Sequence, residues 1–209
     1  MEVRYHHFPS GKRYAYIHTD TGPIFLRNMI LLTKGTDRHT IAIVHEWGKS
    51  TNRWEPPKGQ MEWKEFGTEE PVLRLTQHQL QEHMRKAILR EMTEEAYILP
   101  KEIQHFRILP VTYVQEWSKS GIRNARFLYQ YWTAQITDKT LLEAQKRIQT
   151  IVDNPDWKEI LPKDLTEKDA IHWWNPTHDG FHAIRGGFSQ TMTRQYYDFL
   201  ATEKNETVF

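Results

Sequence analysis

Residues 90 to 95 read Arg90-Glu91-Met92-Thr93-Glu94-Glu95, and no other stretch restricts this chain so strongly. On a helix that advances about 100° per residue, glutamates at i, i+3 and i+4 share an arc of about 100°. Three carboxylates then converge on one small volume, where they raise one another's pKa and oppose packing unless a hard divalent ion neutralises them. The competing reading is an acidic helix turn facing water, the usual meaning of a charge run. The surrounding sequence decides between them.

The helix that carries this run is predicted over Gln77 to Tyr97, opened by Thr76 as N-cap and stopped before Pro100. Ahead of it, residues 25–32 (FLRNMILL) and 40–45 (TIAIVH) flank the turn Lys34-Gly35-Thr36-Asp37 and read as a β-hairpin. Residues 48–60 are rich in breakers and read as a loop, since Pro56 and Pro57 lack N–H donors. Residues 106–117 and 126–136, separated by Ser118-Lys119-Ser120-Gly121, form a second hairpin. A helix over Thr140 to Val152, a strand over Asp169 to Trp174, and a final helix over about Ser189 to Glu203 after Gly186-Gly187 complete the chain. That final helix is expected to pack through Met192, Tyr196 and Phe199. Residues 1–24 suggest an arm or one short strand, Tyr14 to His18. The order of elements gives a mixed α/β sandwich rather than regular βαβ winding.

With 209 residues, 38% of them apolar, the expectation is one domain over 1–209. The net charge of +1 supplies no global field toward nucleic acid or membrane, so any polyanion site must be local. Zero cysteines exclude disulfides, thiolate nucleophiles and Cys-based zinc. No apolar run has the length of a membrane span and no leader is recognisable, so the expected setting is cytoplasmic, with the nucleus as the alternative. The histidines, including His6-His7, His172, His178 and His182, lack a convincing metal-ligand spacing.

Upstream of the acidic run lies Trp54-Glu55-Pro56-Pro57-Lys58-Gly59-Gln60-Met61-Glu62, where Gly59 removes a side chain at a point of close backbone approach. The pattern PPKGQxE followed by REMTEEAYI resembles the signature of the Nudix hydrolases. The helical half fits at Arg90, Glu91, Met92, Glu94, Glu95 and Ile98. The signature is interrupted by about 17 residues, placed at 66–81, so that Glu65 or Glu82 holds the position of its first Glu. A helix running straight from Gln77 turns Glu82 roughly opposite to Glu91, which argues for Glu65. Tyr97 stands where the family has Gly, a position that takes φ > 0, so the helix exit is expected to be rebuilt around Pro100.

The resemblance implies an α/β/α sandwich with a mixed sheet, here with an N-terminal arm (1–24) and a C-terminal helix and tail (186–209). It implies hydrolysis of a phosphoanhydride with Mg²⁺ or Mn²⁺. By the same resemblance Glu91, Glu94 and Glu95 are metal-holding and catalytic groups, the Lys58 backbone carbonyl is a further metal contact, and Arg90 orients a glutamate. Glu167, six residues before Trp173, resembles the later acidic ligand of the diadenosine tetraphosphate hydrolase branch, with Glu116 as fallback. Candidates for substrate binding are Arg53, Trp54, Lys58, Gly59, Arg126 and Tyr129. Aromatic stacking on a base is worth about 1 to 3 kcal/mol, yet core burial is the commoner role of Trp117, Tyr129, Tyr131 and Trp132. Lys12, Arg13 and Arg123 are further basic candidates, each more often a surface charge.

The expected partner is a nucleotide or nucleotide-linked small molecule, with a dinucleoside polyphosphate first. An mRNA-decapping hydrolase releasing m7GDP, with capped RNA as partner, is the alternative. A diphosphoinositol polyphosphate would want more clustered Lys and Arg. A Nudix module that binds nucleotide without cleaving it is the alternative from another class.

Overall fold

Strand β3 (Ile24–Lys34) is the spine of the molecule. Its near-continuous apolar run is buried on both faces, as a central strand requires. Along one edge it pairs in parallel with β9 (Arg126–Ile136) from Ile24↔Arg126 to Lys34↔Ile136. β9 pairs in turn with β8 (Gln104–Glu116), the expected second hairpin. The computed structural model describes residues 1–49, 53–117, 121–154 and 156–206, so Ser118–Ser120 of that hairpin's turn lie outside the described residues.

Three strands share the other edge of β3. β2 (Arg13–Ile17) takes its start, β6 (Lys58–Gln60) its middle, and β4 (Asp37–Glu46) its end. β4 also carries β5 (Trp54–Glu55) and, at the sheet margin, β10 (Lys168–Trp174). Residues 48–60, read as a loop, therefore contain two short strands, because Lys58–Gln60 finds open backbone groups on β3 between β2 and β4.

Alternation along β3 sorts the core into two layers. Leu26, Ile30 and Leu32 face α1 (Gln77–Ala96) and α2 (Asp138–Val152), meeting Met84, Ile88, Met92, Leu141 and Ile148. Phe25, Met29 and Leu31 face α5 (Phe188–Glu206), whose Met192, Tyr196 and Leu200 cover that side. Phe199 is packed at the edge of that layer rather than inside it. Two single-turn helices, α3 (Trp157–Ile160) and α4 (Pro176–Asp179), lie in the connections on either side of β10. The result is an α/β/α sandwich on a mixed sheet. Among the described residues no helix is long and apolar enough to cross a membrane.

The N-terminal segment is not an arm: the short strand expected over Tyr14 to His18 is β2, and a second strand precedes it. β1 (Glu2–His7) pairs with β2 on one side and with β7 (Val72–Arg74) on the other, extending the sheet with backbone taken from residues 66–81. Its weak apolar pattern, in which Val3 is the one fully buried residue, conceals a strand stabilised by distant partners.

Candidate active site

α1 begins with a capping box, Thr76 Oγ1 accepting from the Gln79 amide and Gln79 Oε1 accepting from the Thr76 amide. From there it runs unbroken to Ala96, which carries its C-terminal turns across β6. The approach is so close that a Cβ on Gly59 would lie 1.9 Å from the Glu91 carboxyl carbon. Glu65 reaches the same helix from the short turn Trp63–Phe66, accepting from Arg90 Nε at 3.0 Å. Glu82 is exposed, whereas Glu65 is drawn to Arg90 beside Glu91 and Glu94. The halves of the interrupted motif thus meet in space, and they line a cleft of about 840 Å³.

The helix exit differs from expectation. Tyr97 itself adopts the left-handed conformation, φ 56°, rather than passing the turn to Pro100. That conformation costs about 1 to 2 kcal/mol for a residue with a Cβ. The surroundings hold it in place: Arg147 Nη1 donates to the Tyr97 carbonyl at 2.7 Å, and the Tyr97 hydroxyl donates to the Leu165 carbonyl.

Electrostatics divide the acidic side chains into two sets. Glu55 and Glu95 are buried and share lysines: Lys168 Nζ lies 3.0 Å from a carboxylate oxygen of each, and Lys58 Nζ 2.7 Å from Glu55. Glu95 also accepts from the Lys58 amide at 2.8 Å, and Glu55 from Ser189 Oγ at 2.7 Å. Burial alone would raise the Glu55 pKa, but Lys58 and Lys168 outweigh it and hold the carboxyl well below its ordinary value. Glu65, Glu91 and Glu94 instead share the single guanidinium of Arg90. Desolvation, reinforced by Glu95 and Glu94, pushes Glu91 up to about 8 in spite of Arg90. Glu65 and Glu94 are also raised, burial being the largest cause in each.

Among the described residues, as their side chains stand, no three His, Asp or Glu groups are gathered closely enough to hold a metal ion. Glu91 and Glu94 turn to Arg90, and Glu95 turns to Lys168. The donor set still fits a hard divalent ion, because carboxylate oxygens are its preferred ligands and this set carries more negative charge than its one arginine compensates. Gly59 leaves the room that Glu91 occupies beside the strand.

No family model matches this sequence, and no curated protein sequence matches it. Among solved structures, the NUDIX domain of Shewanella oneidensis NrtR complexed with ADP ribose aligns with TM-score 0.48 and 12% identity, over 85% of this chain and 88% of that one. A NUDIX hydrolase from Nitrosomonas europaea aligns with TM-score 0.47 and 12% identity, over 84% and 88%. A mutT/nudix family protein from Listeria innocua aligns with TM-score 0.41 and 14% identity, over 91% and 100%. The chain is similar to Nudix domains.

Several sequence candidates fall inside the cleft: Lys58, Gly59, Tyr129, Lys12 and Glu167 all line it. Glu167 stands on the rim, its carboxyl raised by desolvation and then by Glu95. Tyr129 is fully buried and cannot stack on a base; its hydroxyl instead accepts from Arg27 at 2.9 Å. Trp54 is already stacked on His172, with ring centroids 3.9 Å apart, so that face is taken. Arg126 sits at the far end of β9, donates to Thr21 Oγ1 at 2.7 Å, and borders a separate hollow with Glu116. Neither belongs to the site, because strand position rather than composition decides which end of β9 faces the cleft. Arg53 contributes its carbonyl to the Glu46 amide and does not line the cleft. Arg13 is spent on exposed Glu69.

Sequence reasoning missed Arg27, Glu55 and Lys168. Glu55 and Lys168 are almost wholly buried charges, and a charge just before two prolines or at the start of a strand reads as surface until its partner is known. Arg27 interrupts an apolar strand on the face that carries Phe25, Met29 and Leu31, and that lone charge was the signal available.

Proposed function

We propose that this protein is a divalent-metal-dependent pyrophosphohydrolase of the Nudix type, cleaving a phosphoanhydride in a nucleoside diphosphate linked to another moiety. The single observation that carries the reading is the meeting of the two half-motifs, with Glu91 against Gly59 and Glu65 on Arg90. A dinucleoside polyphosphate is the first substrate candidate, since the Trp54–Gln60 segment resembles the corresponding loop of that branch.

Each residue then has a task. Glu91 and Glu94, with Glu167 on the rim and Glu95 once it leaves Lys168, would hold Mg²⁺ or Mn²⁺, helped by the Lys58 carbonyl. When bound, such an ion neutralises phosphate charge and acidifies a coordinated water. Arg90 fixes the directions of Glu65, Glu91 and Glu94. Lys12, held by Glu62 at 3.0 Å and Asp164 at 3.4 Å, places a cation on the opposite wall for the polyphosphate chain.

Capped RNA is the second reading, favoured by Lys49, Lys158 and Lys163 standing at the cleft mouth, where a longer polyanion would pass. One panel separates the readings. With Mn²⁺ and, separately, diadenosine tetraphosphate, capped RNA, ADP-ribose and a diphosphoinositol polyphosphate, the first reading expects ATP plus AMP and the second expects m7GDP. Failure to cleave any of them while nucleotide still binds would replace hydrolysis with a purely nucleotide-binding role.

A further inference from the structure

Apart from the exposed Lys49, Lys158 and Lys163 at its mouth, the cleft cations are mostly taken. Arg90 serves three glutamates, Lys58 and Lys168 serve Glu55 and Glu95, Lys12 serves Glu62, and Arg185 lies 3.5 Å from Glu46. Arg27 differs: among the described residues it forms no ion pair with a carboxylate. Its Nη1 donates to the Tyr129 hydroxyl at 2.9 Å and its Nη2 to Gln60 Oε1 at 3.0 Å, while the guanidinium lies 3.9 Å from the Phe127 ring centroid. Two neutral acceptors and one aromatic face orient a permanent charge without cancelling it. Arg27 Nε and Gln60 Nε2 are, besides, buried donors that meet no acceptor among the described residues. A buried donor left unpaired costs about 1 to 3 kcal/mol, so this wall holds more donors than its own acceptors satisfy.

The location defines the ligand. Arg27 pairs in register with Gln60, and the adjoining pair is Asn28↔Gly59, the glycine that touches Glu91. Neighbouring strand residues point to opposite faces, so Arg27 and Gln60 enter the cleft from the other side of this short strand pair, and both line it together with Gly59 and Glu91. A planar fork of donors suits a tetrahedral oxyanion, and Glu91 and Glu94 nearby would repel any anion that lacked such a partner.

We propose that Arg27, aimed by Gln60 and Tyr129, is a specificity-determining contact for a phosphoryl group of the substrate that is not itself attacked. This rests on the hydrolase reading for the identity of the ligand, while the anion site is testable without turnover.

The test is calorimetric titration of inorganic pyrophosphate into the full chain in the presence of EDTA. Wild type binds saturably. Arg27→Met, which keeps the stem against Phe127, loses affinity about tenfold or more, the scale of a hydrogen bond to a charged group, and Arg27→Lys does not restore it. Gln60→Glu supplies an internal carboxylate to Arg27 and loses affinity to the same extent while unfolding no more easily than wild type, so a poorly folded Arg27→Met would not decide the matter. Glu94→Gln retains the binding. Affinity within twofold of wild type in both Arg27→Met and Gln60→Glu, or no binding by wild type, overturns the proposal. Loss of turnover on every substrate with this binding pattern intact would overturn the hydrolase reading and leave the anion site standing.

Discussion

On one side of the last turn of α1 two carboxylates are met by two lysines, one of them shared, and on the other three carboxylates share one arginine. The residue types are the same, and Glu91 and Glu95 are one helical turn apart on a single helix. Yet the Glu55 carboxyl is held below its ordinary value, whereas Glu91 is pushed up to about 8. The first set is neutralised from within and behaves as structure. The second is short of positive charge, and that shortage, rather than the count of acids, marks where a cation and a polyphosphate would be received.

The comparison can be broken most forcefully at Lys168. Lys168→Met leaves Glu55 with the Lys58 ammonium and takes the ammonium from Glu95, and removing one partner of a buried pair costs about 3 to 5 kcal/mol. Chemical denaturation should show that loss; a change under 1 kcal/mol would mean the set is not self-neutralised.

Glu94→Gln acts on the other side, where the expected effect is on turnover rather than folding. It should cut the rate about 100-fold or more, the scale of a lost electrostatic contact in the transition state, with thermal unfolding unchanged or improved. Near-normal turnover would remove Glu94 from the chemistry.

Glu91 provides a pH test. Its folded pKa lies above the unfolded value, so the folded protein binds the extra proton, and metal-free stability contributed by this group falls as pH rises from about 4.5 toward 8. Glu91→Gln should therefore gain on wild type in melting temperature across that window, and saturating Mn²⁺ should narrow the gap. A gap that does not change with pH would contradict the raised pKa.

The smallest effect belongs to Glu82, exposed on the outer face of α1. Glu82→Gln should leave stability within about 0.5 kcal/mol and turnover unchanged. A marked loss would reopen the choice between Glu65 and Glu82.

Local signals were legible in the sequence because local physics makes them. Thr76 caps α1 as expected, the Lys34–Asp37 turn joins β3 to β4, and Gly59 is small where backbone meets Glu91. What escaped was created by pairing across long stretches of chain. β1 is a strand because residues 72–74 lie beside it, and Lys168 is a core residue because Glu55, more than a hundred positions earlier, meets it just ahead of Pro56-Pro57. Tyr97 illustrates the same limit at one residue: its left-handed backbone is held by Arg147 and Leu165, neither of which a helix-exit rule contains.

The central claim is that Glu91 and Glu94, facing the Pro57-Lys58-Gly59 bend, are the groups that need a divalent ion. Electron paramagnetic resonance of free Mn²⁺ during titration with protein tests it directly. The account predicts saturable Mn²⁺ binding by wild type and by Glu82→Gln, and its loss in the Glu91→Gln, Glu94→Gln double variant. Equal binding by the double variant, or none by wild type, would contradict it.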